Sequence, residues 1–267
     1  MSDPPPQQEN PMPSPVSVVI PCAPRADFLA ETLRSVAEQT HQDWEVVLVL
    51  DGECEQNRAA ARTLPDDRVQ VHLTPAPRSG PAVGRNIGLD AAKHDLVAFL
   101  DADDLCLPQR LEHQVAVLQQ RPGLGLVGAW ARQIDPSGQV VGEMHSAIGP
   151  EVARTMLLYN CLITSTIVLR KELAAQVGGF DPRLVRLEDY DLWLRVMALA
   201  DGDVLPEELV GYRVHPGQYS RGALMGSHTK LLRRSKQALA KRIGVSGLGV
   251  AARHAAWLGV QVAHRRW

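Results

Sequence analysis

The chain has 267 residues, 45% of them hydrophobic, so it is long enough to form one large α/β domain with a substantial buried core. Its 28 basic and 30 acidic residues nearly balance, and aromatic residues make up 4%, which argues against a dedicated nucleic-acid binder and against an extended stacking platform for single strands. The four cysteines are scattered without a C-x-x-C pair, so no zinc site is expected and free thiols in a reducing compartment are indicated.

The N-terminal segment indicates where the folded part begins. Residues 1–15 are rich in proline, glutamine and asparagine and are predicted to be a disordered leader. They show neither the basic start nor the apolar run of a signal peptide, and no stretch reaches the roughly 18 uninterrupted apolar residues of a membrane span. A cytoplasmic protein is therefore expected.

Residues 16–104 alternate predicted strands and helices. Asp27 is the expected cap of a first helix, and Pro108 opens a later one. Apolar strands that alternate with helices predict a mostly parallel, Rossmann-like sheet covered on both faces, with ligands beyond the carboxyl ends of its strands. The predicted strands are Val16–Ile20, Glu45–Leu50, Val69–Leu73 and Leu96–Leu100, and a helix is predicted over Ala82–Ala92.

The second half, 105–222, is less regular. Mixed or antiparallel strands are predicted at Gly125–Ile134, Val140–Glu143, Thr166–Leu169 and Val204–Val214. An amphipathic helix is predicted over Asp189–Leu199. From about Lys230 the chain is rich in alanine, arginine and lysine, so 223–267 is predicted to be a basic helical tail.

The most informative motif is acidic. Asp101, Asp103 and Asp104 follow the fourth strand directly. Three carboxylates so close together repel one another, and a divalent cation such as Mg²⁺ or Mn²⁺ would remove that repulsion. An ordinary acidic loop before a helix is the alternative interpretation.

Three further motifs have both a functional and a structural interpretation. Asp189 begins a helix, whose dipole favours an ionised general base, but first-turn acids are also common without such a role. Gly84 and Gly88 lie one turn apart in a predicted helix, which indicates close packing or a ligand. Arg85 lies between them and is either a ligand for a diphosphate or an ordinary surface arginine. His215 precedes a Pro-Gly turn and is either a ligand for a metal or phosphate or a structural residue.

Together these features resemble the family-2 glycosyltransferases of the GT-A fold, from Val16 to about Arg221. The order and spacing of several motifs carry the resemblance. They are Val18–Pro21, Glu31–Val36 with Gln39-Thr40, Asp51-Gly52, Ala82–Gly88, Asp101–Asp104, Gly178–Asp181, Glu188–Arg195 and Tyr212–His215. The chain departs from the family where Thr-Tyr-Asn is usual, with Cys22-Ala23-Pro24, and where Asp-Asp-Gly-Ser is usual, with Leu50-Asp51-Gly52-Glu53.

The resemblance implies a role for each matching residue. A nucleotide-sugar donor would contact Pro21 and Asp51 at its base, Arg85 at its diphosphate or base, and Asp101 at its ribose. Asp103 would hold Mn²⁺ or Mg²⁺ on the diphosphate, with His215 as a further metal or diphosphate ligand. Asp189 would be the general base.

The expected reaction is transfer of a sugar, from a UDP- or dTDP-sugar, to a hydroxyl on a glycan, a lipid-linked molecule or a small molecule. One base and one displacement imply inversion at the anomeric carbon, although the residues leave retention open. A nucleotidyltransferase and a nucleotide-sugar-binding protein without transferase activity remain alternatives. A Rossmann dehydrogenase does not fit, because G-x-G-x-x-G is absent after the first strand.

The sequence indicates where the acceptor and other partners would bind. The acceptor is expected to contact the segment 146–164 and the tail. The tail's lysines and arginines suit a peripheral contact with anionic lipid, a homodimer contact, or a solvated helix packed on the domain. No nucleic-acid partner is expected.

Overall fold

The computed structural model of the protein describes residues 14–263 except 25, 185 and 218–227. Most of the predicted leader, 1–13, and the end of the tail, 264–267, lie outside these residues. The strands are β1 Val16–Cys22, β2 Trp44–Leu50, β3 Val69–Leu73, β4 Leu96–Phe99, β5 Leu105–Cys106, β6 Leu124–Ile134, β7 Val140–Met144, β8 Val168–Arg170 and β9 Asp201–Arg213. The helices are α1 Leu29–Ala37, α2 Glu55–Ala61, α3 Pro81–Ala91, α4 Arg110–Gln120, α5 Glu151–Met156, α6 Lys171–Gln176, α7 Glu188–Met197, α8 His228–Arg242 and α9 Gly247–Ala263.

The strands form one sheet in the order β3-β2-β1-β4-β8-β6-β9-β5, with β7 beside β6. The strands β3, β2, β1 and β4 are mutually parallel, as predicted. Antiparallel pairs then join β4 to β8 and β8 to β6, while β6 and β9 run parallel. The α/β class and the flanking helices are confirmed, and the sheet as a whole is mixed.

Alternating side chains of the central strands enter two cores, one on each face of the sheet. Val19, Val49 and Phe99 face the core that α3 and α7 cover, whereas Val18 and Ile20 face the core under α1 and α4. Every residue of β2 is buried. Burial on both faces explains why these strands are continuous apolar runs rather than alternating ones.

The chain order brings ligand-binding positions together. The chain runs outward from β1 to β2 and β3, and then crosses to the other side of β1 to form β4. The carboxyl ends of β1 and β4 therefore flank a reversal of strand order, where α/β sheets bind ligands.

Several local details differ from the sequence expectation. The short helices α2, α5 and α6 were not predicted, because six or seven residues are too few to show a helical period. Thr164–Thr166 forms a 3-10 turn, so the strand expected from Thr166 begins at Val168. Asp27 is not the cap of α1: the cap position is Phe28, which makes no side-chain cap hydrogen bond.

The basic tail is helical where the structure describes it. In α8, Leu232, Leu239 and Ala240 are buried in the same core as α7. Within the described part of the chain, no helix combines the length and apolar character needed to cross a bilayer. The predicted boundary between domain and tail, at 222 and 223, lies outside the described residues.

Candidate active site

A cavity of about 780 Å³ opens at the carboxyl ends of β1, β2 and β4. Residues from the loop after α5, the start of α7 and the end of β9 also line it. Every residue predicted to bind the donor or metal or to act as base lines this cavity: Pro21, Asp51, Arg85, Asp101, Asp103, Asp189 and His215. The structure therefore brings the predicted set together.

Asp51 organises one wall of the cavity. Its carboxylate accepts hydrogen bonds from the Thr74 hydroxyl at 2.8 Å and from the backbone N–H groups of Ser79 and Gly80 at 2.8 and 3.1 Å. These bonds fix the turn that leads into α3, where Gly80 has a φ of 89°. Asp51 is thus an anchor of the loop, and its contact with a nucleotide base stays a prediction.

The two glycines of α3 allow the helix to lie close to β1. A Cβ on Gly88 would stand 2.2 Å from Cγ1 of the buried Val19, so only glycine fits there. A Cβ on Gly84 would lie 3.4 Å from Cβ of Pro21, an ordinary contact. Of the two explanations for these glycines, close packing holds at Gly88, while Gly84 also lines the cavity.

Arg85 forms a buried bridge between two carboxylates. Its guanidinium donates to Asp101 Oδ1 at 2.8 Å and to Glu188 Oε1 at 2.7 Å. Burial opposes its charge, but the carboxylates of Asp101 and Glu188 raise the pKa of Arg85. The structure therefore gives Arg85 a partner, Glu188, that the sequence did not reveal, and its predicted contact with the diphosphate stays a prediction.

The three acids after β4 separate into two environments. Asp101 and Asp103 face the cavity, whereas Asp104 is buried and accepts a hydrogen bond from the backbone N–H of Arg213 at 2.8 Å. Burial raises the pKa of Asp103, the nearby Asp101 raises it further, and His215 opposes the rise. Burial and the two neighbouring carboxylates also hold the pKa of Asp104 well above its usual value.

Arg213 holds this acidic loop against β9. Its fully buried side chain donates to the backbone oxygen of Asp103 at 2.8 Å and to the Glu31 carboxylate at 2.8 Å, and it lies over the ring of Phe28. Two residues further on, Nε2 of His215 lies 2.9 Å from Oδ2 of Asp103.

The donor set around Asp103 fits a divalent cation. A carboxylate oxygen beside an imidazole nitrogen suits Mn²⁺ better than Mg²⁺, which prefers oxygen ligands. In the described part of the chain, the group with three ligand atoms within 4.8 Å of one another is Glu143, His145 and Glu208, none of which lines the cavity. Asp103 and His215 would therefore need further ligands, which the phosphate oxygens of a donor can supply.

Asp189 lies in the first turn of α7 and lines the cavity. Its Oδ2 accepts from Thr164 Oγ1 at 2.9 Å and from Asn160 Nδ2 at 3.2 Å. Leu187, just before the helix, has a φ of 65°, a costly conformation for a branched residue that recurs at functional sites. Sequence reasoning missed Asn160 and Thr164, because a loop distant in sequence brings them to Asp189.

Glu188, next to the predicted base, has a different environment. It is 7% exposed and pairs with Arg85. Burial raises the pKa of Glu188 to about 7, the Asp189 carboxylate adds to the rise, and Arg85 partly opposes it. The two adjacent acids therefore have different partners: Glu188 pairs with Arg85, whereas Asp189 accepts from Thr164 and Asn160.

Known proteins resemble this chain in sequence. A family model described as glycosyl transferase family 2 matches residues 17–168. The amylovoran biosynthesis glycosyltransferase AmsE of Erwinia amylovora is 30% identical over 176 residues, which span 66% of this chain and 66% of that protein. The O-antigen biosynthesis glycosyltransferase WbnJ of Escherichia coli is 26% identical over 78% of this chain and 83% of its own length.

Two further comparisons concern a named substrate and the fold. The UDP-Glc:alpha-D-GlcNAc-diphosphoundecaprenol beta-1,3-glucosyltransferase WfgD of Escherichia coli is 28% identical over 68% of this chain and 69% of that protein. The crystal structure of S. aureus TarS 1–349 in complex with UDP-GlcNAc superposes with a TM-score of 0.70 and 20% identity, covering 91% of this chain and 71% of that one. At that identity the superposition shows a shared fold.

Proposed function

The chain belongs to glycosyltransferase family 2, and we propose that it transfers a sugar from a nucleoside diphosphate donor to a hydroxyl acceptor. The observation that carries the proposal is that Asp101, Asp103, His215 and Asp189 all line one cavity. Diphosphate binding and proton transfer both need such groups, and a protein that only binds nucleotide sugars has no need of a base.

The donor side of the proposed site is built from Asp101, Asp103 and His215. Mn²⁺ or Mg²⁺ held by Asp103 and His215 would neutralise charge on the departing diphosphate. The UDP-sugar named for WfgD and the UDP-GlcNAc bound to TarS support a UDP-sugar donor, with a dTDP-sugar as the related choice.

The acceptor side centres on Asp189. Its carboxylate would take the proton of the acceptor hydroxyl as that oxygen attacks the anomeric carbon, and the nucleoside diphosphate would leave from the opposite face. One such displacement inverts the configuration of the anomeric carbon. The hydrogen bonds from Thr164 and Asn160 hold the carboxylate in the first turn of α7 and orient it.

The acceptor is proposed to be a glycan, which a lipid diphosphate carries in the reaction named for WfgD. The names of AmsE and WbnJ also refer to polysaccharide biosynthesis and so support a glycan acceptor. The exposed face of α8 carries Lys230, Arg233 and Arg234, which would suit a peripheral contact with anionic lipid.

The test is donor turnover with and without metal. Nucleotide sugars are incubated with the full chain in Mn²⁺, in Mg²⁺ or in excess EDTA, and release of nucleoside diphosphate is measured. We expect the protein to turn over a UDP- or dTDP-sugar, and we expect excess EDTA to abolish that turnover. Asp103→Ala should lose at least about 10²-fold in kcat, because it removes a metal ligand.

Asp90→Ala is the matched control, because Asp90 is an exposed aspartate on α3 that does not line the cavity. It should keep wild-type turnover. Full activity in excess EDTA would contradict the proposed metal dependence. Tight donor binding without turnover, with or without acceptor extracts, would favour the alternative of a nucleotide-sugar-binding protein.

A further inference from the structure

The helix α8 buries a lysine. Its buried positions are spaced three and four residues apart and so form one face of the helix: Leu232, Ser235, Lys236, Leu239 and Ala240. Lys236 has no exposed side-chain surface, and burial lowers its pKa to about 8. A lysine side chain is rarely fully buried unless its ammonium group has partners.

The Lys236 ammonium reaches the segment that supports the predicted base. Its Nζ donates to the backbone oxygen of Leu158 at 3.2 Å and lies 5.3 Å from the ring centre of Tyr190. The Tyr190 hydroxyl in turn donates to the backbone oxygen of Met156 at 2.5 Å. Two carbonyl groups of this segment are therefore held from outside it, one by α7 and one by α8.

The same segment continues into the cavity. Asn160, two residues after Leu158, donates to Asp189 Oδ2 at 3.2 Å. Tyr190 follows Asp189 directly in α7. The contacts thus form a closed circuit that runs from Asp189 to Asn160, along the backbone to Leu158, through Lys236 to Tyr190, and back to Asp189.

A second contact from α8 reaches the next residue of α7. The Ser235 hydroxyl donates to Asp191 Oδ1 at 2.5 Å, and Arg195 binds the other oxygen of this carboxylate at 2.7 Å. Tyr190 and Asp191, the two residues that follow Asp189, are therefore both contacted by α8. This helix lies outside residues 17–168, which match the family model.

We propose that Lys236 is a positioning residue for the general base: α8, through Lys236 and Ser235, holds the Leu158–Asn160 segment and the first turn of α7 in the arrangement that aims Asp189 into the cavity. The inference rests on the proposed function, in which Asp189 is the base. In the proposed function the donor is bound mainly by residues at the ends of β1, β2 and β4, so donor binding is expected to depend on Lys236 far less than the rate does.

The test uses the full chain with Lys236→Met, which keeps the length and apolar packing of the side chain and removes the ammonium. Calorimetric titration with the donor counts the molecules that bind it, and kcat is expressed per binding molecule. We expect kcat to fall about tenfold or more while the donor KM changes less than twofold, because a small displacement of a catalytic group costs rate rather than donor affinity.

Lys241→Met is the matched control, since Lys241 is an exposed lysine on the same helix. Hydrogen exchange gives a readout that does not need activity. Amides of 156–164 and 187–193 should exchange faster in Lys236→Met than in Lys241→Met, whereas amides of β1 should not differ. If Lys236→Met fails to fold, Ser235→Ala should show the same kcat loss to a smaller extent.

The outcomes separate this inference from the proposed function. An inactive wild-type chain would contradict the proposed function, and hydrogen exchange would still test the circuit. If the wild type is active, equal kcat per binding molecule and equal exchange in Lys236→Met and Lys241→Met would overturn the role of Lys236. Where Lys236→Met does not fold, the same equality between Ser235→Ala and Lys241→Met would overturn it. A Lys236→Met variant that loses donor affinity as much as rate would overturn it as well.

Discussion

Asp189 and Glu188 are adjacent acids with different contacts. Asp189 accepts hydrogen bonds from Thr164 and Asn160 at the cavity wall, whereas Glu188 forms a buried ion pair with Arg85. A general base must reach the acceptor hydroxyl, so the geometry favours Asp189 for that role. Glu188 instead links α7 to α3 through Arg85.

Asp189→Asn tests the base directly. The amide has the same size and still accepts a hydrogen bond from Thr164, so donor binding and stability should change little. It does not accept the hydroxyl proton, so transfer should fall by about 10²-fold or more. Steady-state kinetics with donor and acceptor, together with calorimetric donor titration, measure the two effects.

Glu188→Gln is the control for register. The amide still accepts from Arg85, so this variant should retain more activity than Asp189→Asn. The opposite ranking would move the base to Glu188. Wild-type rates in both variants would show that neither acid is the base and that both are first-turn charges stabilised by the helix dipole.

At the scale of elements, the cavity depends on how closely α3 approaches β1. Pro21 is the half-buried next-to-last residue of β1, and α3 carries both Arg85 and the glycines that face this strand. The approach at Gly88 leaves no room for a Cβ beside Val19. The position of Arg85 over the carboxyl ends of the strands follows from that contact.

Gly88→Ala should therefore destabilise the fold. Alanine favours the helix by about 1 kcal/mol, but a methyl group forced against Val19 costs about 1–3 kcal/mol, so a net loss of roughly 1 kcal/mol is expected. Gly84→Ala, whose Cβ meets Pro21 at 3.4 Å, should leave stability unchanged or raise it. Urea unfolding measures both, and equal stability of the two variants would show that α3 moves to accommodate the methyl group.

At the scale of the whole molecule, buried arginines join the two halves of the chain. Arg85, from the first half, binds Glu188 of the second, and Arg213, from the second half, binds Glu31 and the acidic loop of the first. Both guanidinium groups are enclosed, so their hydrogen bonds gain strength from the low dielectric and are costly to break. The residues proposed to bind the donor and the proposed base are thereby fixed relative to one another.

Arg85→Met should lower the free energy of unfolding by about 3–5 kcal/mol near pH 8, because it leaves the Glu188 carboxylate buried without its cation. The loss should shrink at pH 5. The pKa of Glu188 is already raised to about 7 in the presence of Arg85, so below that pH the folded variant takes up a proton and the unpaired charge disappears.

Urea unfolding of wild type and variant at both pH values measures this difference. Arg183→Met removes an exposed arginine that pairs with Asp181, and it should have a small effect at either pH. A loss that is the same at pH 5 and pH 8 would show that Glu188 stays ionised or that water reaches it.

The sequence by itself determined the parallel half of the sheet, the helix α7 and a set of acidic residues that line the cavity. Apolar runs and a helical period are local signals, and acids at strand ends must meet at one edge of a parallel sheet. The family resemblance predicted roles for Asp103, Asp189 and His215 by position. Short helices such as α2 were missed, because their few residues give no period.

Only the tertiary structure decided which groups contact one another. Arg85 lies 103 positions from Glu188, Asp189 lies 29 from Asn160, and His215 lies 112 from Asp103, so no local pattern records these pairs. The same holds for Lys236, which in the sequence is one lysine of a basic tail and in the fold is buried against Tyr190. Partners distant in the chain are selected by the packing of whole elements, and packing is a property of the complete fold.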